Sequence, residues 1–487
     1  MNLVTGEWIP VLYNGELYTR VSLRRFFQEA DQIMDLAVDP PQRVAMMRFL
    51  ICITQAALDG PKDIDDWKKC KGVITSKVSD YLQAHFKHFE LYGEKPFMQV
   101  PTLKQTYNAA IDKLDFGLAH GGACPLYDHG SNETGREHDE GWIALMLITY
   151  QSFCPGGTIG VTKWGNQSTQ PGKEKGPGSS SEAVCVEQSA LHTFIRAANM
   201  LDTVHQNLLT KELIVKMPNT TWGKPTWEID LSNSEDTELR ESVLTYLGRL
   251  CPLTRAILLS PGNKKCTLAN GLKYPRFPEY RETTATVRKQ NKNNFGYVQT
   301  SIERHPWREI NSLLAVGSEV SGALALKNLK GQHTDQTIEI WTGGMVVKPG
   351  QYKILDSLEW TFGVPLNMIG NAGPLAYYQA GVVHAKKAES NLLGSVKEYA
   401  RNMKMEKAPT SKARLHFWSH VDQNYEQLLE TANDPSISLD AQWTPLLRKT
   451  MRSAYQAACP CTTPRQIQAF AAGQAKLKLP NAEKENA

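Results

Sequence analysis

SKARLHFWSHVDQNYEQLLET, residues 411 to 431, carries Leu415, Trp418, Val421, Tyr425, Leu428 and Leu429 at intervals of mostly three and four. That spacing returns to one side of an α-helix, so the stretch predicts an amphipathic helix that packs along one face. Residues 440 to 458 repeat the pattern with Trp443, Leu446, Leu447, Met451, Ala454 and Tyr455. Two further helical stretches, Leu375 to Met403 and Pro464 to Lys478, complete a region with few strand signals. Its breaks, Pro409-Thr410-Ser411, Asp434-Pro435-Ser436 and Thr462-Thr463-Pro464, each set a proline beside a capping residue. Amphipathic helices joined by short connections predict an antiparallel four-helix bundle over residues 374–487.

Upstream of Gly373-Pro374 the character changes, and residues 1–373 predict a large mixed domain, which makes the fold class α+β. Trp8-Ile9-Pro10-Val11 reads as a short strand. Val44 to Leu58 reads as a buried helix, because Ala45, Met46, Phe49, Leu50 and Ile53 cover more than one stripe. Trp142 to Tyr150 and Ala190 to Leu209 predict further helices, and Pro171 to Ser181, rich in Gly, Ser, Pro and Lys, predicts a mobile loop.

At 487 residues the chain exceeds one typical core, and its 41% hydrophobic and 21% charged residues are those of a globular protein. The polar start Met1-Asn2-Leu3-Val4-Thr5-Gly6-Glu7 lacks the basic and apolar regions of a signal peptide, and no long apolar run follows, so a cytoplasmic location and no membrane partner are expected. Nine cysteines without a CxxC pair argue against a disulfide framework or a zinc ribbon. The net charge of +4 is unevenly spread. Residues 264–308 hold ten Lys/Arg against three Asp/Glu, and residues 374–487 hold fifteen against ten. A locally basic surface fits contact with phosphates on selected faces, as well as ordinary solvated charge.

A second informative stretch is Lys348-Pro349-Gly350-Gln351, between Met345-Val346-Val347 and Tyr352-Lys353-Ile354-Leu355. Proline presets φ for the second position of a type II turn and glycine supplies the positive φ of the third, so the flanking runs predict a β-hairpin. Gln351 then sits at or beside the tip. An amide between a lysine and a tyrosine suits a nucleic-acid groove, where amides read base edges and aromatics stack. The glycines Gly156, Gly157 and Gly160 let a backbone approach a phosphate or base without a Cβ in the way. They lack the GKS or GKT ending of a nucleotide-hydrolysing loop. Lys264, Lys265, Lys273, Arg276, Arg281, Arg288, Lys289 and Lys292 alternate with Tyr274, Phe277, Tyr280, Phe295 and Tyr297. That mixture offers phosphate neutralisers with stacking faces, and equally describes core aromatics flanked by solvated cations.

A catalytic alternative starts from Asp128, His129, His138 and Glu140, whose oxygens and imidazoles could serve a metal-dependent nuclease. The segment is rich in Gly, Ser and Asn and lacks the helical spacing of known metal motifs, so it reads as a loop. A scaffold that binds only protein is a further alternative.

In combination, Met1-Asn2-Leu3 with Trp8-Ile9-Pro10-Val11, Leu50-Ile51-Cys52-Ile53-Thr54-Gln55 and Lys95-Pro96-Phe97-Met98-Gln99 resemble the CasA family, the large subunits of the type I-E CRISPR surveillance complex called Cascade. The order of parts is similar from end to end. The resemblance implies no enzyme and no cofactor. It implies a subunit that tests double-stranded DNA for the protospacer-adjacent motif from the minor-groove side, then helps guide RNA invade. Its partners would be the guide-RNA ribonucleoprotein of the other Cascade subunits and a helicase-nuclease that does the cutting. On this resemblance Gln351 is the wedge, with Gly350 and Tyr352 beside it. Gly156, Gly157 and Gly160 form the glycine loop, and the lysine finger is Lys273 or the Lys264-Lys265 pair. Leu126, Tyr127, Asp128 and His129 form the docking loop for the guide-RNA end, although this sequence departs from the family's aromatic-aliphatic-asparagine pattern there. Lys386, Lys387, Arg401, Arg448, Lys449 and Arg452 of the bundle would hold DNA. A cysteine cluster of some members is missing, so no structural metal is implied.

Overall fold

The computed structural model describes residues 1–14, 17–103, 108–118, 137–154, 164, 185–187, 189–262, 264–291, 294–317, 319–331, 336–347, 354–434 and 436–478. It divides into two compact units. The first comprises Met1–Ile302, Gly322–Asn328 and Ile338–Phe362, and the second Glu303–Ser321, Leu329–Thr337 and Gly363–Ala487. Mixed helix and sheet, with a helical C-terminal region, make the fold α+β as the sequence predicts.

The first unit is arranged around the helix Pro40–Leu58. Asp39 and Gln42 form a capping box, Pro40 and Pro41 occupy the first turn where no N–H is needed, and Asp59 in the left-handed region ends the helix. Every residue from Val44 to Gln55 is buried, as the absence of a single stripe predicts. Phe49 packs against Trp8, Phe97 and Trp227 at ring separations of 5.9, 5.7 and 5.7 Å. The polar residues inside are partnered. Gln55 donates to Leu209 O at 2.7 Å and accepts from the Tyr246 hydroxyl at 2.7 Å, as a buried amide must. A second buried helix, Glu140–Phe153, is capped by Asp139, which accepts from Trp142 N at 2.8 Å.

Eleven strands are described: β1 (Ile9–Tyr13), β2 (Leu17–Val21), β3 (Ile33–Leu36), β4 (Asn108–Ala110), β5 (His192–Arg196), β6 (Arg255–Leu259), β7 (Lys265–Asn270), β8 (Val287–Asn291), β9 (Asn294–Tyr297), β10 (Thr337–Val347) and β11 (Ile354–Pro365). They form sheets of order β2-β1-β3, β11-β10-β5, β4-β7-β6 and β8-β9. The predicted helix Ala190–Leu209 is corrected here. Its first half is β5, antiparallel to β10 with Ile195 opposite Ile340, and only Met200–Gln206 is helical. Thr193, Phe194 and Ile195 are strand formers, and Asn199 caps the short helix by accepting from Asp202 N at 2.9 Å.

In the second unit the long helix Ala372–Met403 begins with Gly373-Pro374 in its first turn, where proline costs no hydrogen bond. The helix predicted over 411–431 is two helices, Thr410–Asp422 and Tyr425–Asn433. Asn424 sits between them and turns its amide back to His420 O at 2.7 Å, the local competition that asparagine brings to a helix interior. Trp443–Ala458 and Pro464–Ala475 follow, so five helices run from Ala372 onward among the described residues. Trp443, Leu447, Met451, Ala454 and Tyr455 are buried as spaced, whereas Leu415 stands 71% exposed outside the face assigned to it.

A short 3-10 helix, Pro306–Glu309, anchors this unit. Arg308 reaches Asp422 at 2.9 Å and lies 3.5 Å over the Trp418 ring, while Trp307 donates to the same carboxylate at 2.7 Å. Both charges are largely buried, so removing one strands the other. Asp422→Ala is expected to cost about 3 kcal/mol, read as an earlier urea transition in tryptophan fluorescence, with Asp422→Asn costing less.

Candidate nucleic-acid interface

The hairpin predicted around residues 348–353 has its two arms in β10 and β11, which are hydrogen-bonded neighbours. A connection this short joins only antiparallel strands. β10 is buried from Ile340 to Val346, and β11 is exposed or half-buried over most of its length. The turn itself, with Gly350, Gln351 and Tyr352, lies outside the described residues. So do Gly156, Gly157 and Gly160, and Leu126, Tyr127, Asp128 and His129.

The lysine candidates separate into two places. Lys264 and Lys265 lie at the turn between β6 and β7, both exposed, with Lys264 3.8 Å from the Glu137 carboxylate. Lys273 is exposed beyond the other end of β7. Six residues of strand, about 20 Å long, lie between the two positions.

The aromatics alternating with these cations are mostly core. Tyr274, Tyr280 and Tyr297 are buried. The Tyr274 hydroxyl accepts from Leu253 N at 2.7 Å, the Tyr297 hydroxyl accepts from Glu282 N at 2.6 Å, and Tyr280 lies 3.6 Å under the Arg249 guanidinium. Phe277 and Phe295 pack against the cluster of Ala190, Ala285, Val287 and Tyr297. Arg281 also turns inward, donating to Gly322 O at 2.7 Å, and burial pushes its pKa down to about 10. Lys264, Lys265, Lys273, Arg276 and Lys289 remain exposed. The stretch therefore offers cations to phosphates, without a row of stacking rings.

Glu282 holds this stretch in place. Its carboxylate forms a close buried ion pair with Arg48 of the helix Pro40–Leu58, and Arg48 also donates to Arg249 O. Burial pushes the Glu282 carboxyl up, but the charges of Arg48, His192 and Arg249 with the Thr284 N–H outweigh it and hold the pKa below the usual range. The neighbouring His192 is fully buried, with Nδ1 2.8 Å from Thr284 Oγ1.

Of the nuclease alternative, His138 and Glu140 are described. His138 Nε2 lies 2.6 Å from the buried Asp112 carboxylate and its ring stacks on Trp142 at 3.6 Å. Glu140 lies 3.1 Å from the Met1 ammonium. Among the described residues no group of three or more His, Cys, Asp or Glu side chains is placed to hold a metal ion. In the second unit, Arg448, Lys449 and Arg452 share a groove with Pro445, Ser453 and Gln456 on one helix, a feature that spacing alone does not separate from a solvated face. No helix among the described residues is long and apolar enough to cross a membrane.

The fold is shared with CRISPR-associated proteins of known structure. Thermus thermophilus CasA aligns over 98% of both chains with a TM-score of 0.77 at 20% identity. Thermobifida fusca Cse1 aligns over 98% of this chain and 97% of its own, with a TM-score of 0.78 at 19% identity. A chain of a CRISPR RNA-guided surveillance complex gives 0.77 at 14% identity, over 98% of this chain and 99% of that one. In sequence, the CRISPR-associated protein CasA/Cse1 of Thermus thermophilus is 26% identical over 386 residues, 76% of this chain and 72% of the relative. The model of the family CRISPR-associated protein Cse1 matches residues 2–459, and the chain belongs to that family.

His192 generates a pH test. Burial lowers its pKa to about 4, against about 6.5 in an unfolded chain. Between these values the unfolded chain binds the extra proton, so stability falls as pH drops from about 6.5 to about 4, by up to about 3 kcal/mol. Melting temperatures across this range are expected to fall for the unaltered protein and to fall less for His192→Asn. Equal slopes would show that His192 does not carry the dependence.

Proposed function

We propose that this chain is the non-catalytic large subunit of a type I-E Cascade complex, recognising the protospacer-adjacent motif in double-stranded DNA and promoting guide-RNA invasion. The observation that carries the reading is the family match along residues 2–459. It is supported by the likeness in fold to a chain of an RNA-guided surveillance complex. In this reading Gln351 wedges beneath the first base pairs of the motif, flanked by Gly350 and Tyr352. Gly156, Gly157 and Gly160 form the loop that approaches the minor groove, and Lys273 or the Lys264-Lys265 pair contacts it as the lysine finger. The minor groove has a degenerate code, so several related motifs are accepted. Unstacking costs a few kcal/mol per step, offset by phosphate contacts and the forming heteroduplex.

Leu126, Tyr127, Asp128 and His129 dock the subunit on the guide-RNA ribonucleoprotein. The labour is divided along the chain. Residues 1–373 read the motif, while Lys386, Lys387, Arg401, Arg448, Lys449 and Arg452 of residues 374–487 hold DNA. A further face recruits the helicase-nuclease, which performs the cutting, so no catalytic residue and no cofactor are assigned to this chain.

The test is binding of motif-bearing and motif-scrambled duplexes to the guide-loaded remaining subunits, with and without this chain. Adding the chain is expected to create motif-dependent binding, and Gln351→Ala to reduce the motif preference on the order of tenfold. Lys273→Ala is expected to weaken both duplexes alike and lower the salt slope by about one if it meets a phosphate. Motif-independent binding in every case would contradict the reading.

A further inference from the structure

Each arm of the β10–β11 hairpin is gripped by an arginine far from the tip. On β10, Glu339 accepts from Arg196 Nη1 of β5 at 2.7 Å. On β11, Glu359 lies 3.5 Å from Arg43 Nε of the helix Pro40–Leu58 and accepts from Trp341 Nε1 of β10 at 2.6 Å. Both arginines converge on one carboxylate. Asp35 of β3 accepts from Arg196 Nε at 3.2 Å and forms a close ion pair with Arg43 Nη1. Arg43 also donates to Leu36 O at 2.9 Å and lies 5.6 Å from the centre of the Trp341 ring.

The result is a chain of alternating charge from one arm to the other: Glu359, Arg43, Asp35, Arg196, Glu339. Its middle is sheltered, with Arg43 12% and Asp35 15% exposed, and its two ends are open to solvent. Coulomb interactions therefore count most at Asp35, where two cations share one anion. Five backbone pairs already hold β10 on β5, so pairing does not by itself call for this network. Pairing holds β10 on β5 as far as Gly343, and the network adds a lateral grip on each arm.

We propose that Asp35 is a positioning residue for the hairpin, setting through Arg43 and Arg196 the angle at which β10 and β11 carry their tip toward DNA. This rests on the reading of the hairpin as the motif reader. The six residue steps from Trp341 to Val347 make a lever of about 20 Å, so a tilt of about 10° at the base moves the far end by about 3.5 Å. A recognition group tolerates about 0.5 Å. Asp35 itself is not required to touch DNA, and Glu359 and Glu339 act only through the arms they belong to.

The experiment compares the unaltered protein, Asp35→Asn and Gln351→Ala, each assembled with the guide-loaded remaining subunits. Two quantities are read: the ratio of affinities for motif-bearing and scrambled duplexes, and amide hydrogen exchange over 342–347 and 354–360. Asp35→Asn keeps the shape and removes the charge. It is expected to accelerate exchange in both arms and lower the affinity ratio on the order of tenfold, with affinity for the scrambled duplex unchanged. A purely structural role would lower both affinities together and leave their ratio intact, which overturns the proposal. Unchanged exchange in the arms overturns it as well. Glu359→Gln, which retains an acceptor for Trp341 and removes one of the two charged partners of Arg43, is expected to shift both readouts in the same direction by less, and it serves if Asp35→Asn does not assemble. If Gln351→Ala leaves the ratio intact, the motif-reader reading has failed, and the brace is then judged by arm exchange alone.

Discussion

Arg48 sits in the middle of a helix buried on every side, and an unpaired charge there would cost several kcal/mol. Its answer is Glu282, 234 residues later in the chain. That pairing brings the segment around residues 280–298 against the core helix, adds Arg249 through its carbonyl and its contact with Tyr280, and places Thr284 beside His192 of β5. Three long-range connections of the first unit thus depend on satisfying one guanidinium. A buried ion pair is a poor source of net stability, because desolvation offsets the attraction, but breaking it is costly. Its contribution is to fix which segments meet.

The same logic recurs where charge is less deeply buried. Asp422 serves Arg308 and Trp307 in the second unit, and Asp35 serves Arg43 and Arg196 in the first. In each case one carboxylate answers two donors, neighbours in one segment for Asp422 and residues of separate segments for Asp35. The arginine partners of these three carboxylates lie 8 to 234 residues away. This is the part of the structure that single-sequence reasoning does not reach.

Periodicity made much of the rest legible. The all-round apolar pattern of 44–58 marks the core helix, and the spacing around Trp443 marks the buried face of its helix. The resemblance is carried by packing residues: Trp8 and Phe97 meet Phe49, and Gln55 binds Leu209 and Tyr246. Such residues are constrained by one another, which is why they mark a family without marking its site. One reading failed, and one open alternative was decided, for physical reasons. Ala190–Leu209 is apolar enough for a helix, but pairing with β10 overrides that in its first half. The aromatics of 274–297 alternate with cations because the chain runs between core and solvent, and their hydroxyls are consumed inside. Of the candidate site, the arms of the hairpin and the exposure of Lys264, Lys265 and Lys273 are seen directly, whereas the separation of the two lysine positions by β7 emerged only in three dimensions.

The central claim is that the tip between β10 and β11 meets the motif itself. A photo-crosslinking amino acid placed at Gln351, in the chain assembled with the guide-loaded subunits on a labelled target duplex, reads that contact at nucleotide resolution. The account predicts crosslinks confined to the motif base pairs and absent on a scrambled motif. Crosslinks scattered along the duplex, or to protein alone, would contradict it.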